Sequence, residues 1–187
     1  MALSLTIWII IAIVVVIAFI FFYYFNRFAV LSNRIENSLS QIDVQLKRRA
    51  DLIPNLVKTV KAFTKHETKA IKAVTDARKA LVGAKGTEAK VRADQGLEKA
   101  LKSIFAIAEG YPDLKANTNF LELQRELSST EDKVAYARQF YNDSILTYNN
   151  LCTTMPGAFF ANLYGRKKKE YLKIAATERK VVKVKFD

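Results

Sequence analysis

The chain has 187 residues and carries 30 Lys and Arg against 18 Asp and Glu, a net charge of +12; with its apolar N-terminal lead set aside, about 160 residues remain, enough for one ordinary domain with a real core. Six glycines and three prolines are few, so the composition favours helices over strands joined by tight turns. A lone cysteine, Cys152, excludes an intramolecular disulfide and a multi-cysteine zinc site, the only histidine, His66, has Ala70 four residues on and so fails the H-E-x-x-H pattern, and Gly83 and Gly86 match neither phosphate-loop spacing.

No charged side chain occurs in residues 1–26, and residues 3–25, LSLTIWIIIAIVVVIAFIFFYYF, are long enough to cross the roughly 30 Å hydrocarbon core as a helix. A secretory signal peptide is the competing assignment. Against it, the first six residues lack a positive charge, the apolar run is too long, and aromatic residues stand where a small-residue cleavage site belongs. Trp8 at one end and Phe21, Phe22, Tyr23, Tyr24 and Phe25 at the other fit the aromatic belts of the two interfaces, with Arg27 as the first snorkelling charge. No Lys or Arg precedes the run, whereas Arg27 and Arg34 follow closely and Lys47, Arg48 and Arg49 come later. This bias predicts a single-pass protein of the cell (inner) membrane, N-terminus outside and C-terminal domain in the cytoplasm.

Phe28, Leu31, Ile35, Leu39, Ile42 and Leu46 recur at steps of three and four with no loop signal before them, so the spanning helix is expected to continue rigidly into the folded part. Lys47, Arg48 and Arg49 fit a helix C-terminus, and Asp51 then caps a second helix over residues 52–82 with Pro54 in its first turn. A kinked continuous helix is the alternative. The second helix carries Leu56, Val60, Phe63, Ala70, Val74 and Leu81 on one side and ends at residues 83–86. A third, over residues 88–109, uses Leu97, Leu101, Ile104 and Ala108 and stops at Gly110 and Pro112. Asn117 or Asn119 caps a fourth that runs to about Leu151 through Phe120, Leu123, Leu127, Thr130, Val134, Ala137, Tyr141, Ile145, Tyr148 and Leu151. That seam serves either an intramolecular bundle or a coiled coil with a partner chain. Met155, Pro156 and Gly157 end it, residues 158–164 form a short apolar piece, and VVKVKF (residues 181–186) alternates like a lone strand, which pairs between subunits or stays loose. The predicted fold is therefore all-α: an N-terminal transmembrane helix (1–26) continuing into an antiparallel four-helix bundle with long helices (27–165), then a short basic C-terminal tail (166–187).

The blocks RIENSLSQIDVQLKRRADLIPNLVKTVKAFTKHE (residues 34–67), EGYPDLKANTNFLELQRELSSTEDKVAYARQFYNDSILTYN (residues 109–149) and MPGAFFANLYGRKKKEYL (residues 155–172) closely resemble the LemA family of bacterial membrane proteins. The resemblance implies a single-pass membrane protein with a helical-bundle domain and carries over no catalytic residue. Genes of that family often neighbour membrane metalloproteases, and a relative occurs among magnetosome membrane proteins, which together imply an accessory or membrane-organising role. The basic ending after Leu172 looks extended relative to the family's usual close.

Half of the net charge, +6, lies in residues 166–187, and +5 lies in residues 52–83. Arg27 and the block Arg166, Lys167, Lys168, Lys169 are the candidate membrane-surface residues, suited to an anionic leaflet; a merely solvated tail is the plain alternative. Three functions compete. A non-enzymatic membrane-anchored scaffold that self-associates and holds other membrane proteins follows from the anchor-to-bundle junction and the lack of recognisable chemistry, with lipid and a second copy as partners, Tyr23, Tyr24 and the alternating tail as contact surface, and no cofactor. A nucleic-acid or anionic-lipid binder follows from the charge, but no recognition motif accompanies it and the aromatics fall on core-spaced positions. For a membrane enzyme, Asp43, Glu67 and Glu109 are the carboxylates that could form an acid–base set, but their spacing demands no such role.

Overall fold

The computed structural model describes residues 2–172. Among the described residues six helices follow one another: α1 (Ala2–Phe63), α2 (Thr68–Gly83), α3 (Thr87–Ala108), α4 (Pro112–Ala116), α5 (Thr118–Thr153) and α6 (Gly157–Leu163). The described residues contain no strand, and the alternating segment 181–186 lies outside them.

α1 carries two kinds of surface on one hydrogen-bonded ladder. Between residues 5 and 25 every side chain is exposed except the half-buried Tyr24, a stretch of about 31 Å along the axis that matches the thickness of a bilayer core. From Phe28 onward a single stripe is buried: Phe28, Leu31, Ile35, Ser38, Ile42, Leu46, Arg49, Ile53, Leu56 and Val60. Steps of three and four keep these positions on one face. Ser38 takes the buried place expected of Leu39, which is half-buried. It can do so because its hydroxyl donates to the carbonyl of Arg34 at 2.7 Å, leaving no unmade hydrogen bond.

The helix does not end at Lys47, Arg48 and Arg49, and Asp51 caps nothing: α1 runs through Pro54 and breaks only at residues 64–67. Pro54 has no N–H for the carbonyl of Ala50, one turn back, and that is the usual reason an interior proline ends a helix. Here the guanidinium of Arg78, on α2, donates from Nε to that same Ala50 oxygen at 2.8 Å. A side chain from the next helix thus replaces the missing backbone donor, and a continuous helix through Pro54 is what forms.

By contact the chain divides into two compact bodies. One comprises Met1–Ser38 with Phe140–Tyr171. Its core joins Phe28, Leu31 and Ile35 of α1, Ile145 and Tyr148 of α5, and Ala161 of α6. The other is built on Leu39–Gln139. There α2 buries Ile71, Val74 and Leu81, and α3 buries Val91, Asp94, Leu97, Leu101, Ile104 and Ala108. The three-residue link 84–86 folds α3 back along α2, with Gly86 at φ +81°, a left-handed value that suits glycine. In the YPDLKAN block, Tyr111 donates its hydroxyl to Glu67 at 3.1 Å. Pro112 opens α4, where no donor is needed, and Leu114 is fully buried. Asn117 caps α5 by accepting from the Phe120 amide at 3.0 Å.

Replacing Arg78 by Leu strands the Ala50 carbonyl and should cost about 1–3 kcal/mol. In a Pro54→Ala background the restored amide at residue 54 answers that carbonyl, so the same replacement should cost clearly less. Urea unfolding of the four proteins in mild detergent measures the coupling, and equal losses in the two backgrounds would refute this role for Arg78.

Candidate functional site

The aromatic end of the apolar run is not bare. Tyr24 stacks on Phe160 of α6 with ring centroids 4.5 Å apart and planes 7° from parallel. The Tyr164 ring meets Phe21 edge-on at 5.2 Å, Phe25 at 5.7 Å and Phe28 at 6.1 Å. Its hydroxyl donates to the carbonyl of Phe21 at 2.7 Å. Such aromatic pairs add about 0.5–1.5 kcal/mol each beyond the area they bury. Tyr24, expected on a surface between copies, is spent inside the chain, whereas Tyr23 stays exposed.

Local sequence sets this clasp. Gly157 begins α6 where a Cβ would overlap the carbonyl oxygen of Leu151, so only glycine allows α6 to start so close to the end of α5. After Leu163 the chain closes the helix with Gly165 at φ +65°. The Arg166 amide then reaches the Ala161 carbonyl at 2.8 Å and the Gly165 amide the Asn162 carbonyl at 3.2 Å. This is the Schellman arrangement, and its αL residue demands glycine for its backbone conformation. Gly157, Phe160, Ala161 and Tyr164 face inward, while Phe159 and Leu163 face outward.

The five candidate membrane-surface residues all fall in this body, but in different settings. Arg27, Lys167 and Lys168 are exposed, and Arg166 is half-buried. Lys169 is built into the fold. Asn149 donates its amide to the Lys169 carbonyl at 2.9 Å and accepts from the Lys169 amide at 2.9 Å. The ammonium of Lys169 donates to Ser32 Oγ at 3.2 Å and lies 5.3 Å from the centre of the Tyr148 ring. This double tether fixes residues 166–169 beside α1 at Ser32, about 8 Å along the helix from Arg27. Cys152 is half-buried against the same core. Burial pushes its thiol above the ordinary value, with Tyr148, Lys168 and Arg166 pulling the other way, so at neutral pH it is protonated and a poor nucleophile.

In the Leu39–Gln139 body, the basic run read as a helix terminus ties helices together. Arg48 pairs with Glu126 at 2.7 Å. Arg49 is only 1% exposed and donates to Asp94 of α3 at 2.9 Å and to Glu131 of α5 at 3.1 Å. It sits in the buried stripe of α1 seven residues after Ile42 and seven before Leu56, a polar residue at an apolar seam position, which fixes how helices register. Burial pushes the Asp94 carboxyl above the usual range, against the pull of Arg49. The carboxylates considered for acid–base chemistry have separate tasks: Asp43 pairs with Lys90 at 2.7 Å, Glu67 accepts from Tyr111, and Glu109 is an exposed residue at the end of α3. His66 is exposed in the break after α1.

Two open grooves lie on this body. One of about 530 Å³ brings the DLIPN and NTN segments together through Leu52, Asn55, Asn117 and Asn119. The other, of about 680 Å³, is lined by Lys61, Lys65, Lys72 and Lys79 with Glu67 and Asp76.

An apolar helix long enough to cross a membrane, followed by further helices and no strand among the described residues, defines a membrane-associated helical protein. The sequence profile of the LemA family matches residues 38–186, and the chain belongs to that family. Since the match reaches residue 186, the basic ending read as an extension lies within the family's span. The magnetosome protein MamQ of Magnetospirillum gryphiswaldense is 27% identical over 173 residues, covering 79% of this chain and 64% of the relative. Magnetosome proteins MamQ 1 and MamQ 2 of Paramagnetospirillum magneticum are each 26% identical over the same lengths. The chain thus spans less than two thirds of the length of these relatives.

Asp94→Leu leaves the buried Arg49 without its inner partner and should cost about 3–5 kcal/mol, most of it regained in an Arg49→Met/Asp94→Leu double variant; a double variant as unstable as the single one would contradict this. Because its pKa is raised, the pH-dependent part of the Asp94 contribution is complete below the ordinary value of 3.8 and is lost as pH rises through the raised value, while the ion pair with Arg49 remains. Unfolding curves of the wild type and Asp94→Asn should therefore diverge in favour of the variant over that rise, rather than run parallel. Asn149→Ala removes both hydrogen bonds to the Lys169 backbone and should speed trypsin cleavage at residues 166–169 in detergent; an unchanged cleavage rate would count against the tether.

Proposed function

We propose that this protein is a non-enzymatic membrane-anchored scaffold, held by residues 5–25 with the folded part in the cytoplasm, that self-associates and organises other membrane proteins. The observation that carries this is the clasp. Tyr164, Phe160 and the Phe28 core attach folded structure to the last turn of the apolar run, so copies present the same surface at the same height above a bilayer. Confinement to two dimensions then raises the effective concentration of any weak lateral contact. Arg49, Asp94 and Asn149, polar residues set in the cores, each have a structural partner. A second reading, binding of an anionic polymer such as nucleic acid, draws on the lysine-lined groove of Lys61, Lys65, Lys72 and Lys79; it requires affinity that falls steeply with salt in filter binding.

The test is a crosslinking scan in membranes. In a Cys152→Ser background, single cysteines placed in turn over residues 27–33 should crosslink at positions recurring every three to four residues, with the buried Phe28 and Leu31 silent. Crosslinks at no position, together with a monomeric mass in mild detergent, would end the scaffold proposal in its self-associating form.

A further inference from the structure

The 22 residues 144–165, SILTYNNLCTTMPGAFFANLYG, carry no charged side chain. They are not a second span, since α5 ends at Thr153 and α6 is seven residues long. α6 carries apolar side chains on both sides, with the exposed Asn162 as its polar residue. Its inward row, Gly157, Phe160 and Ala161, continued by Tyr164 just after the helix, is covered by α1 and the local core. Its outward row is left open, with Phe159 59% and Leu163 57% exposed and Met155 just before the helix 78% exposed. Phe159 and Leu163 are four residues apart and share one face.

The level of that open row is fixed. α6 touches α1 at Phe21, Tyr24, Phe25 and Phe28, the final turns of the apolar run. Phe22 and Phe25 of α1 are themselves exposed there. The first charges beyond are the exposed Arg27 on α1 and, after α6, the half-buried Arg166 followed by the exposed Lys167 and Lys168. Apolar side chains end and cations begin at the same place on both elements, as at a boundary between acyl chains and headgroups.

We propose that α6 is a second membrane-contacting element: Phe159 and Leu163 insert among the lipids at the interface where α1 leaves the bilayer, and Arg27, Lys167 and Lys168 meet the phosphates above them. The occupant of the open face is lipid because the exposed Phe159 and Leu163 stand on the helix that packs against the end of the spanning run, where Phe22 and Phe25 are also exposed, and the polar side chain beside them, Asn162, is uncharged. The inference rests on residues 5–25 being the anchor.

The experiment uses the full chain in a Cys152→Ser background, reconstituted in phosphatidylcholine–phosphatidylglycerol vesicles at high and low protein-to-lipid ratios. A nitrobenzoxadiazole probe is attached to single cysteines at Phe159, Leu163, Val14 within the anchor, or Val44, an exposed residue of the other body. Labels at 159 and 163 should be shielded from iodide and quenched by doxyl-labelled phospholipid at both ratios, as at Val14, whereas the label at Val44 should answer to iodide. Iodide access at 159 and 163 with Val14 still embedded would overturn the insertion of α6 and leave the anchor standing. Shielding that disappears at the low ratio would assign the face to a second copy and overturn the proposal. Iodide access at Val14 would overturn the anchor and the proposal with it. Phe159 and Leu163 point outward, so replacing them leaves the core of this body intact.

Discussion

A single helix that is wet by two solvents has to change its surface without breaking its ladder. On α1 that change takes place between Phe25 and Phe28. Before it the faces are apolar and, up to the residues clasped by α6, open; after it one stripe is buried and most of the rest is polar. Each later helix that packs on α1 has to find that stripe, and the positions at which it does so are set by a few side chains with no freedom to slip. Tyr164 reaches the Phe21 carbonyl, Arg49 reaches Asp94 and Glu131, and Arg78 reaches the Ala50 carbonyl. Apolar packing supplies most of the driving force in such a structure, but it is indifferent to small shifts of register. Hydrogen bonds to a particular carbonyl or carboxylate are not.

The stripe itself was legible in the sequence, because steps of three and four among Phe28, Leu31, Ile35, Ile42 and Leu46 admit little besides a helix with one buried face. The same holds for the third helix and for the α5 seam, where Asn117 was one of two candidate caps and proves to hold the Phe120 amide. The apolar run needed only counting. What could not be read was anything decided by a residue far along the chain. Pro54 after a cluster of cations looks like a helix start, and the donor that rescues its orphaned carbonyl is 28 residues away on α2. Arg49 likewise looks like a surface cation at a helix end; its burial depends on carboxylates 45 and 82 residues distant.

The basic block after α6 shows the same limit from another side. As a string, Arg166 to Lys169 is four equivalent charges. In the fold Lys167 and Lys168 are exposed, while Lys169 is held at its backbone by Asn149 and at its ammonium by Ser32. The signal that distinguishes them is faint: a buried asparagine at the end of a long helix, whose amide offers one donor and one acceptor to a passing strand of backbone. The glycines around α6 were more informative than their number suggests, since one is required by a close approach and the other by a left-handed backbone.

Continuity of α1 from the apolar run into the folded body is the claim on which the rest stands, and amide hydrogen exchange of the full chain in lipid nanodiscs addresses it most directly. Residues 21–35 include the last turns of the run and the first three buried positions of the stripe. An unbroken helix clasped by α6 predicts slow exchange at every amide across this interval, with no minimum of protection between Phe25 and Phe28. A cluster of rapidly exchanging amides at residues 25–30, flanked by protected ones on both sides, would show a hinge there and contradict the account.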